Sequence, residues 1–278
     1  MTRELVIQKS LGLAIVALAV YYLSPLQVGL AFSIFGQGHF LGAYYYQWKA
    51  GKMTMTWVAA FVTLTTALFT LAILTDQVAW FALVASVVFF IHHFQDEVTL
   101  FGKERSLSRA LEQLPPVLLF TALISRYMLG ATFSSSLVML AIVLLVPYVA
   151  SIAIGTYRPD ALSAYLLLIT AGLFALWFFD IQVSSTKLTG SVILLHYVCW
   201  YVHFYFRFGS KPDRQSAYVK DMLAIHAIVF ALYALFAYTA WGSIVLAYVF
   251  PPLFFYIWAI LHIVFSIRLA DYRGSLRW

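Results

Sequence analysis

The chain has 278 residues, 63% of them hydrophobic and only 10% charged, and its mean hydropathy is +0.90. A soluble domain carries about 25% charged residues, so this composition excludes a water-soluble globule and predicts an all-α, polytopic transmembrane helical bundle. The net charge of +6 would point to nucleic acid in a soluble protein, but here topology accounts for it and no nucleic-acid partner is expected.

Hydropathy predicts ten spans in chain order. The first, over 5–23, contains LGLAIVALAVYYLSPL. It lacks a small-residue cleavage site and reads as a retained span. The second, over 25–48, holds His39 within FGQGHFLGAYY, where Gly36, Gly38 and Gly42 permit close helix approach. An apolar third span covers 54–74, and a fourth covers 78–100. That fourth span ends in VASVVFFIHHFQDEVTL, which sets His92, His93, Asp96 and Glu97 together. His92 and Asp96 are four apart, as are His93 and Glu97, so each pair shares a helix face. Spans over 114–130, 136–156 and 160–180 follow. Pro25, Pro115, Pro116 and Pro159 are expected at helix starts, where a missing N–H costs least.

In the eighth span, 188–207, the stretch LLHYVCWYVHFYFR sets His196, Trp200 and His203 on one stripe. The span over 221–240 contains His226, and the last, over 243–268, contains His262. Pro251 and Pro252 are expected to kink that last span. A lone Cys199 rules out an intramolecular disulfide.

With the N-terminus inside, fifteen of the 17 Lys and Arg residues fall on the inner side and only Arg126 and Lys187 on the outer. This is a strong positive-inside pattern. It predicts an even number of spans, both termini cytoplasmic, and a multi-pass protein of the bacterial inner membrane in contact with anionic lipid. No linker, repeat or low-complexity tract interrupts the chain, so residues 1–278 are expected to form a single integral membrane domain.

The same map places all seven His in the cytoplasmic half, roughly 6–17 Å below the inner boundary at 1.5 Å rise per residue. Asp96 and Glu97 join them. Ionisable groups inside a membrane are costly and usually face a functional interior. His39, His92, His93, His196, His203, His226 and His262 are therefore candidate metal ligands. Asp96 and Glu97 are candidate catalytic carboxylates that also orient the imidazoles. The competing reading is structural: His226 as an interhelical hydrogen-bonding residue, and His203 in an aromatic belt with Tyr201, Tyr205 and Arg207. Among the candidates His39, His93, His196 and His203 rank first, His92 and His262 next, and His226 last.

Imidazoles with few thiolates suit iron, copper or zinc, and a structural zinc site would recruit cysteines that this chain lacks. A greasy surround favours non-haem iron (Fe2+), mononuclear or dinuclear, with a bis-His haem as the alternative.

The order of His39 in GHFLG, then His93-Phe94-Gln95-Asp96, then His196 and His203, then His262 resembles the bacterial Brp/Blh family of membrane beta-carotene 15,15'-dioxygenases along the whole chain. Gln95 stands where the family has Gly, the His196–His203 spacing is wider than the family's, and Ser266 replaces an Asp. The resemblance implies an iron dioxygenase that cleaves a carotenoid or related isoprenoid with O2. The aromatic residues near the histidines, among them Phe89, Phe90, Trp200, Tyr201 and Phe204, are expected to line an apolar tunnel open to the lipid.

Two other functions compete. A membrane di-iron lipid hydroxylase or desaturase would share the depth and side of the histidines but carry His boxes absent here. It would also need a cytosolic electron donor at the basic loops 101–113 and 208–220. A proton-coupled transporter without a metal would use the same groups as a relay. A microbial rhodopsin is disfavoured, because the last span has no buried Lys.

Overall fold

Long apolar runs with no period-two alternation leave the backbone one way to satisfy its own hydrogen bonds in a greasy setting, the helix. The computed structural model describes residues 3–51, 53–76, 78–103, 107–181, 183–209, 211–246, 250 and 252–266. It is an all-α bundle: α1 (Arg3–Tyr22), α2 (Pro25–Lys49), α3 (Met55–Thr75), α4 (Val78–Leu100), α5 (Leu107–Ala153), α6 (Ala161–Phe178), α7 (Ser185–Arg207), α8 (Pro212–Tyr238), α9 (Ala240–Val245) and α10 (Pro252–Ser266). No strand occurs among the described residues.

Five stretches are long and apolar enough to cross a membrane: Met55–Thr75, Ala79–Leu100, Leu129–Ala153, Ala161–Phe178 and Pro212–Tyr238. Helices α1, α2 and α7 are not among them, and these carry polar side chains inward, including Lys9, Gln37 and His196. The exterior is apolar where a soluble protein would be charged. Leu74, Val143 and Leu168 are 78%, 60% and 71% exposed, as side chains facing lipid would be.

As expected for two spans at 114–130 and 136–156, α5 is broken at Gly130, with φ 84° and ψ 166°, and the chain doubles back there so that the Ser134 hydroxyl donates to the Ala122 carbonyl at 3.0 Å. Only glycine takes that conformation without strain. Other boundaries differ from the sequence expectation. Because α5 starts at Leu107, Pro115 and Pro116 lie within it rather than at its start. The last expected span is divided. Pro252 opens α10 instead of kinking a continuous helix, since its missing N–H costs nothing in a first turn. Pro251, Lys52, Arg105, Arg268, Arg273 and Arg277 lie outside the described residues.

Helix α7 packs against α1, α2, α4 and α8, while α4 packs against α3, α5, α7 and α10. One apolar core joins α4, α5 and α6 around Phe90, Phe94 and Phe120. A second joins α2, α4, α7 and α10 around Phe40, Phe89, Tyr197 and Phe255. Close approach of α2 depends on its glycines. A Cβ at Gly36 would meet the Phe255 ring at 2.5 Å, and one at Gly38 would meet His226 Nε2 at 2.6 Å.

A charged clasp ties α5 to α6 at one end. Arg109 donates to Asp160 at 2.7 Å and to Glu112 at 2.8 Å, while Lys103 reaches Asp160 at 2.8 Å. Asp160 also caps α6 by accepting from the Ser163 amide at 3.0 Å. Partial burial favours the protonated carboxyl, but Lys103, the Ser163 amide and Arg109 outweigh it and hold Asp160 below the usual carboxylate range. A depressed folded-state pKa gives stability that is present above the ordinary carboxylate pKa and lost as pH falls toward the depressed value. Asp160→Ala is expected to lower the thermal midpoint of the detergent-solubilised protein at neutral pH, the lost cap alone costing about 1 kcal/mol. The gap between wild type and variant should narrow as the pH falls below the ordinary carboxylate range.

Candidate metal centre

The two four-residue spacings on α4 set the base of the site. His92 Nε2 lies 3.2 Å from Asp96 Oδ2, and His93 Nε2 lies 3.6 Å from Glu97 Oε1. Helix α7 brings His196, whose Nδ1 is 3.8 Å from the same Asp96 oxygen. The ligand atoms of His92, Asp96 and His196 all lie within 4.8 Å of one another, so this group can hold a metal ion.

Two further helices close the ring. From α2, His39 places its ring centroid 5.4 Å from His196 and 5.3 Å from His262 of α10. The His92 ring is 5.3 Å from His196 and 6.2 Å from His262, and the His93 ring is 5.8 Å from His196. Five imidazoles from four helices thus form one cluster.

Its chemistry is unfinished within the protein. Nδ1 of His93, His196 and His262 and Oε1 of Glu97 are buried without a hydrogen-bond partner among the described residues. Buried donors and acceptors are normally paired, and each orphan costs about 1–3 kcal/mol. A cation among these atoms removes much of that cost, and neutral imidazole with carboxylate is a donor set that iron, copper and zinc accept. The residues fit a transition metal.

The two carboxylates are treated differently. Asp96 Oδ2 accepts a hydrogen bond of 2.7 Å from the Trp200 indole of α7. Glu97 is wholly buried and ion-paired to Lys9 of α1. Lys9 is itself enclosed, 3.7 Å from the Cys199 sulfur and over the rings of Tyr165 and Phe101 at 4.8 and 5.3 Å. In the sequence Lys9 counts as one more inner-side charge and Trp200 as lining, whereas here each holds a carboxylate. The signal for Lys9 is its setting, since a lysine amid VIQKSLGLAIV is a charge in an apolar helix that needs a partner.

The structure places His203 and His226 apart from the cluster. His203 Nδ1 lies 3.0 Å from Glu4 Oε1, and its ring meets Trp200 edge-on at 5.5 Å. His226 Nδ1 lies 2.8 Å from the Met222 carbonyl, which can only accept, so Nδ1 carries the proton. Its Nε2, 3.0 Å from the Tyr201 hydroxyl, then accepts from that group. Both His226 nitrogens are thereby used.

A cavity of about 310 Å³ lies between α2, α7 and α8, with His39 and Trp200 among its lining residues. Tyr201, Phe204, Tyr218 and Met222 supply much of the remaining wall. A second hollow of about 570 Å³ lies across Tyr201, Tyr218 and Met222 and reaches Ile7 of α1. Apolar hollows of this size meeting a few polar groups are typical small-molecule sites.

No known protein family, characterised protein or solved structure matches the chain.

His196→Ala or Asp96→Ala is expected to abolish metal retention in protein that still inserts, while His203→Ala and His226→Ala keep it. Trp200→Phe, which frees the Asp96 oxygen, should weaken retention by about 10- to 100-fold, as loss of a hydrogen bond behind a ligand commonly does. Elemental analysis of the purified variants checks all five.

Proposed function

We propose that the protein is a membrane-embedded, non-haem iron oxygenase that cleaves a carotenoid or related isoprenoid with O2. The observation that carries the proposal is the convergence of His39, His92, His93, His196 and His262 with Asp96 beside an apolar cavity. The resemblance of the His order to the Brp/Blh dioxygenases supports the same reading. Iron supplies the one-electron chemistry that allows O2 to react with a closed-shell double bond.

The remaining work falls to the chain. His92, His196 and Asp96 hold the ion, and His39 and His262 complete its surround. Trp200 keeps the Asp96 carboxylate oriented through its indole N–H. Phe89, edge-on to His196 at 5.2 Å, and Phe40, stacked on His262 at 4.6 Å, exclude water from the imidazoles. The cavity between α2, α7 and α8 receives an apolar chain from the lipid and brings it against His39. Cleavage converts one C=C bond and one O2 into two C=O groups, so oxygen is the only oxidant and no electron donor is consumed.

The finer topology belongs to this proposal. Ten membrane segments, both termini cytoplasmic, place the site in the inner half of a bacterial cytoplasmic membrane. Ion pairs support that arrangement. Lys49–Asp221, Lys103–Asp160 and His203–Glu4 join residues assigned to the inner side, and Arg126–Asp180 joins residues assigned to the outer.

Expression in cells that make beta-carotene, without an added reductase, is expected to yield retinal or shorter apocarotenals, and the purified protein should contain iron. Intact carotenoid beside iron-loaded protein would reject cleavage in favour of donor-dependent lipid hydroxylation or desaturation. Absence of any transition metal would instead favour a proton-coupled transporter. Met222→Trp should fill the cavity, leave iron content unchanged and suppress product at least tenfold, about 1.4 kcal/mol in the barrier.

A further inference from the structure

The cluster holds two carboxylates and five imidazoles, enough donors for two ions. What limits the number is charge. Neutral imidazoles bring none, Asp96 and Glu97 each bring a negative charge, and Lys9 brings a positive one. With Lys9 in place the group carries a single net negative charge, which one divalent ion turns into a single positive charge. Two divalent ions would leave three positive charges in a bundle whose surroundings are Phe, Tyr and Leu, and uncompensated buried charge is strongly disfavoured.

The geometry of Lys9 fits a fixed counter-ion rather than a passing contact. Its side chain is 11% exposed and Glu97 is 0% exposed. The ammonium is enclosed by Cys199, Tyr165 and Phe101 and has Glu97 as its one carboxylate partner among the described residues. On the far side of Glu97, Oε1 points toward His93 Nε2 at 3.6 Å without a hydrogen bond. His93 and Glu97 therefore have the makings of a second ion site, and the ammonium already neutralises its carboxylate.

We infer that Lys9 is a built-in counter-ion of Glu97 that occupies the electrostatic place of a second metal, so that the centre is mononuclear, with its ion held by His92, Asp96 and His196. This rests on the metal-centre reading above. Glu97 is then a positioning residue for His93 and not a ligand, although the α4 spacing presents it as the twin of Asp96.

The test counts ions. Detergent-purified protein is stripped with chelator, titrated anaerobically with Co(II), and bound metal is measured by equilibrium dialysis and elemental analysis, with size-exclusion profiles to confirm folding. Wild type and Lys9→Arg should each bind one equivalent. Lys9→Met should bind more than one, approaching two, because Glu97 becomes free to ligate beside His93 and two ions then leave two positive charges rather than three. The double variant K9M/E97Q should return to one equivalent, since the released carboxylate is gone. Two equivalents in the wild type, or one in well-folded Lys9→Met, would overturn the inference while leaving a metal centre intact. If Lys9→Met does not fold, the double variant decides: one equivalent supports the inference, and none shows that Glu97 is a ligand and overturns it. No cobalt in the wild type removes the metal centre itself, and this inference with it.

Discussion

A carboxylate buried in an apolar helical bundle must find a cation or a donor, and this requirement organises the interior. Asp96 and Glu97 are neighbours on α4, so their side chains leave the helix about 100° apart. Glu97 is met by Lys9 from α1. Asp96 is met by the Trp200 indole and approached by His196, both from α7. Each partnership fixes one helix against α4. Sliding α1 by a turn would strand Glu97, and sliding α7 would strand Asp96. Leaving either charge unpaired costs about 3–5 kcal/mol, more than most single apolar contacts return. The polar groups thus set a register that greasy helices, free to slide past one another, do not set for themselves.

The imidazoles are positioned by packing rather than by hydrogen bonds. His39 stacks on Tyr197 at 4.7 Å, and His262 stacks on Phe40. Helix α2 can carry His39 into the group because Gly36 and Gly38 let Phe255, Tyr197 and His226 sit against its backbone. Helices that share a solvent as apolar as themselves associate chiefly through such close fits. Pairing sets the carboxylates in place, and packing then turns the rings toward them.

Helix class and the five most apolar spans were legible in the sequence, because such helices announce themselves by hydropathy alone. The break at Gly130, between the expected spans 114–130 and 136–156, was legible too. A boundary that moved is one hydropathy does not see, since Pro252 starts α10 within a stretch that reads as continuous. The meeting of histidines from separate helices was also legible, since counting residues to the nearest basic end sets them at similar levels, and five of the rings do lie together. Which level of a stripe meets the carboxylates, and which face of a helix turns to them, was not. His196 and His203 share a stripe, yet only His196 reaches Asp96, while His203 lies about two turns farther along α7 against Glu4. His92, ranked below His93 on motif order, has the closer carboxylate contact. Neighbouring His on one helix point to different faces, and only the packing of other helices decides which face is the centre.

The cavity and the polar cluster meet at a narrow boundary, and that boundary shapes what selectivity is available. The charged and hydrogen-bonded groups lie behind the imidazoles, with Lys9 and Glu97 farthest in, whereas the cavity wall beyond His39 is nearly all aromatic or aliphatic. Such a wall offers an entering chain few hydrogen bonds. It discriminates by width and length, where one methylene changes binding by only about 1–3 kcal/mol. Hydrogen-bonding selectivity requires buried polar partners that an incorrect substrate leaves unpaired. The closest polar groups at this wall are already engaged: the Tyr201 hydroxyl with His226 and Tyr46 with Asp221 at 3.0 Å. In the proposed cleavage, a site built this way would select a class of apolar chains by shape. The position of reaction along the chain would then be set by how the chain lies against His39 in this cavity.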